Sequence, residues 1–261
     1  MIMMRSFQLK NIIDLSHKTI LVAGASSGIG AETAILCSNL GAKVVLVARR
    51  EEKLREVMQN LQGDGHSYYT YDLNKLDGIE SFVKSVVKET NALDGMVYSA
   101  GIPGTRPLRM LKPSSLSDVM NINFNAFVEL VRCTTKKKMF NSGMSIVGIS
   151  SISSTMGGLG KTAYCSSKAA MDSAVRCMAK ELAPSGIRVN TVCPGIIETA
   201  LFQTFKDNAG DSHDAQAKIE RQYLGLGKPI DVANTIVFLL SDASRMITGA
   251  NIGVDGGILS S

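Results

Sequence analysis

Histidine is scarce in this chain. There are three, His17, His66 and His213, and each stands alone. Scattered imidazoles offer neither metal-ligand spacing nor a partner for a Ser–His–Asp arrangement, so metal-dependent hydrolysis and His-based triads are not expected. Cysteine is odd in number and widely spaced, at Cys37, Cys133, Cys165, Cys177 and Cys193. These positions lie mostly in apolar segments, form no zinc pattern, and read as reduced core thiols of a cytoplasmic protein. No stretch approaches the roughly 18 consecutive apolar residues of a membrane span. Residues Met1 to Lys18 lack the apolar core and small-residue cleavage site of a secretory signal. There is no linker rich in Pro, Ser or charge, and no internal repeat. Charge of one sign is also in short supply. With 28 Lys and Arg against 23 Asp and Glu, the net charge is +5. That suits phosphate-bearing small molecules and is too weak to argue for nucleic acid. The densest basic run, Lys136-Lys137-Lys138, falls near the end of a predicted helix, where cations oppose the helix dipole.

What is present is an alternation. The chain has 261 residues, 45% of them apolar and 20% charged, as in ordinary soluble globular proteins. Short apolar runs at Thr19–Gly24, Lys43–Ala48, His66–Tyr71, Gly95–Ser99, Met144–Ile149, Ile187–Val192 and Asn251–Val254 read as strands. Helical segments fall between them, near Gly28–Leu40, Glu51–Leu61, Ile79–Lys88, Ser114–Phe140, Ala163–Leu182 and Val232–Leu240. Near-continuous apolar strands alternating with helices imply a parallel sheet covered on both faces, wound by right-handed crossovers. The expectation is an α/β fold of Rossmann type, one domain over residues 1–261. The segment Ile197 to Leu226 breaks the rhythm, and its place after the sixth strand marks it as a substrate lid.

After the first strand comes Gly24-Ala-Ser26-Ser27-Gly28-Ile29-Gly30, opening directly into a helix. Glycines so spaced let backbone N–H groups approach a pyrophosphate at a helix N-terminus. At the end of the second strand, where a carboxylate would accept from a ribose hydroxyl, the sequence reads Val47-Ala48-Arg49-Arg50. A guanidinium suits a 2′-phosphate, so NADP(H) is favoured over NAD(H), with Arg49 as the contact. The alternative is that both arginines are solvated helix-start surface. Asp72, after the third strand, is placed to meet the adenine edge or to cap the next helix. Thr155 to Thr162 nearly spells a triphosphate-binding loop, but Thr155 stands where that loop needs its first glycine.

Tyr164 and Lys168 are spaced i, i+4 on a predicted helix and share a face. A neighbouring ammonium stabilises phenolate, so Tyr164 is a candidate acid/base with its pKa expected to be pulled down. Ser151, just past the fifth strand, falls at the same sheet edge. Cys165 points about 100° round the helix from Tyr164 and reads as packing.

The Gly24–Gly30 turn, Asp72, Asn123, Ser151, Tyr164, Lys168, Pro194-Gly195-Ile-Ile-Glu-Thr199, Ile247-Thr248-Gly249 and Val254-Asp255-Gly256-Gly257 together resemble the short-chain dehydrogenase/reductase family from about Lys18 to Gly257. The pattern is most similar to 3-oxoacyl-acyl-carrier-protein reductases. The resemblance implies a seven-stranded parallel sheet with a nicotinamide cofactor across its carboxyl edge. It implies that Tyr164 exchanges a proton with the substrate oxygen, that Ser151 hydrogen-bonds that oxygen, and that Lys168 holds the nicotinamide ribose. Asn123 would support a water chain, and Ile197 and Thr199 would steady the carboxamide end. Leu73, Ser99, Ala100 and Gly101, with Pro194 and Gly195, complete the expected cofactor contacts. Two departures stand out. The family's usual Asn-Asn-Ala-Gly is here Tyr98-Ser99-Ala100-Gly101, and the basic residue often found before Gly-Ile-Gly is Ser27.

The resemblance further implies a ketone or secondary alcohol as substrate, in one reading linked to an acyl carrier protein, and a homotetramer built on its two long helices. Ala200, Leu201, Phe202 and Phe205 would give the lid an apolar surface suited to an acyl or cyclic ketone. Arg106, Arg109 and Lys112 are the basic residues a carrier would meet. The alternatives are an NAD(H)-dependent dehydrogenase of a sugar, polyol or steroid alcohol, and a non-catalytic dinucleotide sensor. An epimerase or dehydratase of the extended relatives would space its glycines G-x-x-G-x-x-G, which this chain does not.

Overall fold

In the computed structural model, residues 13–200, 202–203 and 219–260 are described. The strands are β1 (Thr19–Ala23), β2 (Lys43–Ala48), β3 (Ser67–Thr70), β4 (Leu93–Tyr98), β5 (Phe140–Ile149), β6 (Arg188–Pro194) and β7 (Asn251–Val254). They form one seven-stranded sheet in the order β3-β2-β1-β4-β5-β6-β7, and every neighbouring pair is parallel. Chain order reverses beside β1: β2 and β3 lie on one side, β4 to β7 on the other. The carboxyl ends of β1 and β4 therefore part there to leave a crevice.

The helices are α1 (Gly28–Asn39), α2 (Glu51–Met58), α3 (Ile79–Thr90), α4 (Pro113–Met120), α5 (Ala126–Thr134), α6 (Thr162–Leu182) and α7 (Pro229–Leu240). Two apolar cores show how they cover the sheet. One joins Leu21, Val45 and Met96 to α3, α5 and α6 through Phe82, Phe127 and Met171. The other joins Ile20, Val22 and Val44 to α1, α2 and α7 through Ala34, Leu54 and Ile236. Alternate residues of one strand thus serve opposite cores, which is why the strands read as unbroken apolar runs.

Local signals set the boundaries. Helix α6 stops at Pro184 and Gly186, whose φ of 73° no β-carbon would favour. Helix α7 starts at Pro229, and its N-terminus is closed by the Lys228 N–H donating to Asp231 Oδ2 at 2.7 Å. The long helix expected over Ser114–Phe140 is instead α4, a π-helical turn at Asn121–Asn125, and α5. It ends at Thr134 because Phe140 pairs with Leu93 and begins β5. The basic run Lys136-Lys137-Lys138 then lies in the connection, where Lys136 pairs with Glu80 at 2.6 Å. Among the described residues, no helix is long and apolar enough to cross a membrane.

Gly95 on β4 is a packing constraint. A β-carbon there would sit 2.6 Å from Ile20 Cδ1 and 3.0 Å from Leu240 Cδ2. Gly95→Ala overpacks the seam between the sheet and α7, and we expect a loss of about 1–3 kcal/mol, read as a lowered urea midpoint.

Candidate active site

A cavity of about 760 Å³ runs along the carboxyl edge of the sheet over the β1/β4 crevice. It collects the ends of strands far apart in the chain. Gly24 to Ile29 come from the turn after β1, Arg49 from the end of β2, Asp72 and Leu73 from after β3, and Ser99 to Gly101 from after β4. Ser151 follows β5, Tyr164 and Lys168 project from α6, and Pro194, Gly195, Ile197 and Thr199 follow β6. Of the catalytic and cofactor-contact residues expected from the sequence, Gly30 and Asn123 do not line it, and neither do the basic Arg106, Arg109 and Lys112.

The three glycines of the first turn have different tasks. A β-carbon on Gly24 would lie 2.5 Å from the Ala100 nitrogen, and one on Gly30 would lie 2.3 Å from the Gly24 oxygen. Both are demanded by backbone packing. Gly28, with φ +57°, would meet nothing nearer than Thr199 Cγ2 at 3.4 Å. Its missing side chain leaves room for a ligand. Ser27 makes no side-chain cap on α1 and no acid stands in the helix's first turn. The N–H groups and positive end of the dipole thus face the cavity, a fit for a pyrophosphate.

At the other lip the Arg50 guanidinium donates to Ser26 Oγ and Ser27 Oγ, each at 2.9 Å. Arg49, the contact expected from the sequence, and Arg50 both line the cavity, and Arg50 is the one bound to the glycine turn. Its signal was the second guanidinium in the same dipeptide. Asp72 Oδ1 accepts from Asn74 N at 3.1 Å, which holds the bend after β3 and does not cap a helix.

Tyr164, Ser151 and Lys168 meet at the centre. Ser151 Oγ accepts from Ser153 N at 3.1 Å, which leaves its O–H to hydrogen-bond the Tyr164 phenol. Lys168 Nζ donates to the Ile149 carbonyl at 2.6 Å and lies 5.8 Å from the centre of the Tyr164 ring. Tyr164 and Lys168 are 7% and 5% exposed. Burial pushes the Tyr164 phenol up to about 12, with the Ser151 hydrogen bond lowering it in part. It pulls the Lys168 ammonium down to about 8, against the attraction of Asp172. The downward pull on the phenol expected from the i, i+4 ammonium does not appear: burial of the phenolate dominates, and what lowers the phenol in part is Ser151, not Lys168.

Asn123 sits behind this group, fully buried. Its Oδ1 accepts from Ile102 N at 2.8 Å, and its Nδ2 donates to Ile102 O at 3.1 Å and Ser167 Oγ at 3.0 Å. Both side-chain N–H groups are committed, so it ties the loop after β4 to α6. The π turn that carries it is steadied by Tyr98, whose hydroxyl donates to the Ile122 carbonyl. The departure at Tyr98-Ser99 thus brings its own brace. The mouth on the substrate side is formed by Thr105, Met156, Leu159, Lys161 and Phe202. There Arg106 N donates to Gly160 O at 2.8 Å, joining the loop after β4 to the loop before α6. Arg106, Arg109 and Lys112 are exposed on that loop beside exposed Leu108 and Met110. Of the lid residues, Ala200 and Phe202 line the cavity, and Leu201 and Phe205 lie outside the described residues. The segment leaves and returns at one point, where Glu198 N donates to Gly227 O at 2.8 Å and Gln222 Oε1 accepts from Ile196 N at 2.8 Å. Ile258, near the C-terminal end of the described chain, also reaches the cavity, which nothing in the sequence pattern signalled.

A family model described as enoyl-(acyl carrier protein) reductase matches residues 24–259. The chain is 33% identical over 247 residues to the 3-oxoacyl-[acyl-carrier-protein] reductase of Thermotoga maritima, covering 94% of this chain and 99% of that one. The chain belongs to the short-chain dehydrogenase/reductase family. The reductase of the same name from Rickettsia felis is 34% identical over 249 residues, covering 95% and 99%. Among solved structures, a Beutenbergia cavernae protein proposed to be an NAD(P)-dependent gluconate 5-dehydrogenase, with NADP bound at low occupancy, superposes with a TM-score of 0.87. It is 30% identical, and the match covers 95% of this chain and 99% of that one. The chemistry is that of an NAD(P)-dependent oxidoreductase acting between a ketone and a secondary alcohol.

The glycine geometry separates binding from folding. Gly28→Ala places a methyl group in the cavity, and we expect dinucleotide affinity to fall at least about tenfold with a stability loss of about 1 kcal/mol. Gly30→Ala should lose more stability than Gly28→Ala, because its methyl meets the Gly24 carbonyl. Fluorescence titration with NADPH beside thermal melts of both variants measures the difference.

Proposed function

We propose that this protein is an NADPH-dependent reductase of 3-oxoacyl thioesters presented by an acyl carrier protein. The observation that carries the reading is a buried Tyr164 inside a cavity whose mouth presents Met156, Leu159 and Phe202, next to an exposed basic loop after β4. When bound, the nicotinamide supplies the hydride to the ketone carbon. Tyr164 donates its proton to the substrate oxygen, and Ser151 hydrogen-bonds the same oxygen and keeps it within reach of the phenol. Lys168 holds the cofactor's ribose hydroxyls and offsets negative charge left on Tyr164. Asn123 braces the backbone of Ile102 and the α6 face that carries Lys168, and supports a water chain that resupplies the proton. Gly24 to Gly30, Leu73, Ser99 to Gly101 and Pro194 to Thr199 bind the dinucleotide along the sheet edge, with Asp72 at the adenine. Arg49 and Arg50 take the 2′-phosphate.

A phenol held near 12 by burial carries its proton at neutral pH, the form ketone reduction needs in its proton donor. Leu159 is exposed at the mouth, at 88%, and on the loop after β4 Leu108 and Met110 are exposed at 70% and 63%; that loop, which carries Arg106, Arg109 and Lys112, holds no acid between Ser99 and Ser117. Such a surface suits an acidic carrier delivering a greasy chain. The curated relatives' names carry the same substrate. The second reading is a sugar-acid dehydrogenase, favoured by the gluconate enzyme among the structural relatives and by Lys161, a cation at the cavity. The α4–α5 run and the long α6 support a homotetramer with two-fold axes, and five free thiols support a reducing cytoplasmic setting.

Steady-state assays with NADPH decide between the substrates. A carrier-linked 3-oxoacyl thioester should be reduced with kcat/KM at least about a hundredfold above that for 5-ketogluconate. The reverse order would overturn the carrier reading. Tyr164→Phe should lose about 10²–10⁴-fold in turnover while keeping NADPH affinity. In wild type, reduction should stay level through neutral pH and fall as pH rises through about 8, where Lys168 loses its charge. Replacing Arg49 and Arg50 by Ala should reduce the NADPH-over-NADH ratio of kcat/KM by about tenfold or more. An unchanged ratio would remove both arginines from the cofactor site.

A further inference from the structure

We propose that Asp172 is a positioning residue for Lys168, a buried counter-charge that keeps the ammonium protonated without drawing it from the cavity. Asp172 lies one turn beyond Lys168 on α6, at i+4, and is 8% exposed. Its Oδ2 accepts from Asn251 Nδ2 at 2.7 Å, and its Oδ1 has no partner although it is buried. A carboxylate oxygen left bare in the interior is costly unless an opposite charge lies near. Lys168 stands one turn away on the same helix, and Asp172 is the largest favourable influence on its ammonium.

The two groups are not joined by a direct salt bridge. Lys168 Nζ donates to the Ile149 carbonyl and Asp172 is tied to β7 through Asn251. That separation matters. A contact pair would turn the ammonium back along α6, whereas a charge held by another strand leaves two Lys168 N–H groups free to face the cavity. The other titratable groups around Lys168 are Tyr164 on α6 and Cys193 on β6, with Asp255 acting on Cys193. Burial keeps Tyr164 and Cys193 protonated and neutral near pH 7. Neither can replace the carboxylate.

The inference rests on the proposed role of Lys168, and the test separates the two. In wild type, Asp172→Asn and Asn251→Ala, the pH midpoint of Lys168 acetylation by trace acetic anhydride is read by peptide mass spectrometry without cofactor. The alkaline limb of kcat/KM for ketone reduction is read in parallel, with circular dichroism confirming the fold. Loss of an opposite charge lowers the pKa of a buried ammonium. Asp172→Asn, nearly isosteric and still able to accept from Asn251, should move both midpoints down by about one pH unit. Asn251→Ala removes the tether and keeps the charge, so neither midpoint should move down, while kcat/KM for ketone reduction falls as the freed carboxylate draws the ammonium back along α6. Unmoved labelling in Asp172→Asn, or an equal shift in Asn251→Ala, overturns the proposal. If labelling moves and the activity limb does not, Asp172 controls the charge of Lys168, and the role given to Lys168 in the reaction is what fails.

Discussion

Where β1 ends, Gly24 lies against Ser99 and Ala100, with no room for even a methyl group between the two backbones. The contact is held by hydrogen bonds across three strands: Gly24 N donates to Val47 O on β2, and Ser99 N donates to Ala23 O on β1. The carboxyl ends of β2, β1 and β4 are thereby locked level. From that point the chain on each side turns the opposite way, and the crevice between the turns becomes the cavity. The first turn of α1 follows from the same contact, since Gly30 packs on the Gly24 carbonyl and so aims the helix N-terminus along the crevice. Binding surface and fold here share one piece of backbone, with Gly28 alone of the three glycines left to the ligand.

The reacting end depends on burial in a comparable way. Removal from water raises Tyr164 and lowers Lys168 because it disfavours the charged form of each, and the charged form of a phenol is the deprotonated one. One environment thus holds Tyr164 as a proton donor and brings Lys168 close to losing its proton. The site therefore has to restore charge to Lys168 with something other than solvent. Asn123 and Tyr98 serve the same end mechanically: they fix the π turn and the loop after β4 through buried hydrogen bonds that leave no freedom for Ile102 to move.

The seven strands were legible because each is an apolar run bounded by glycine, charge or polar turn residues, and both sheet faces are covered. Most of the cavity was legible too, since a doubly wound sheet brings every residue just past a strand's carboxyl end to one edge. Other features lay outside this logic. The end of α5 before Phe140 depended on pairing with Leu93, which no periodicity in that segment encodes. The link from Arg50 to Ser26 and Ser27 crosses from β2 to the β1 turn. The approach of Ile258 to the cavity depends on where the C-terminal turn packs. The pull expected from Lys168 on Tyr164 failed because spacing on a helix reports proximity and is silent about solvent.

By itself the sequence determined the order of strands and helices, the glycines at the first turn, and the identity of the groups able to move a proton or hold a phosphate. These follow from local rules: apolar periodicity, backbone freedom and side-chain chemistry. Only the tertiary structure decided which glycine is open, which arginine reaches the turn, which groups the Asn123 side chain ties together, and in which direction Tyr164 and Lys168 are shifted. Those outcomes depend on distances between segments far apart in the chain and on the exclusion of water, and neither exists until the sheet has closed over its helices.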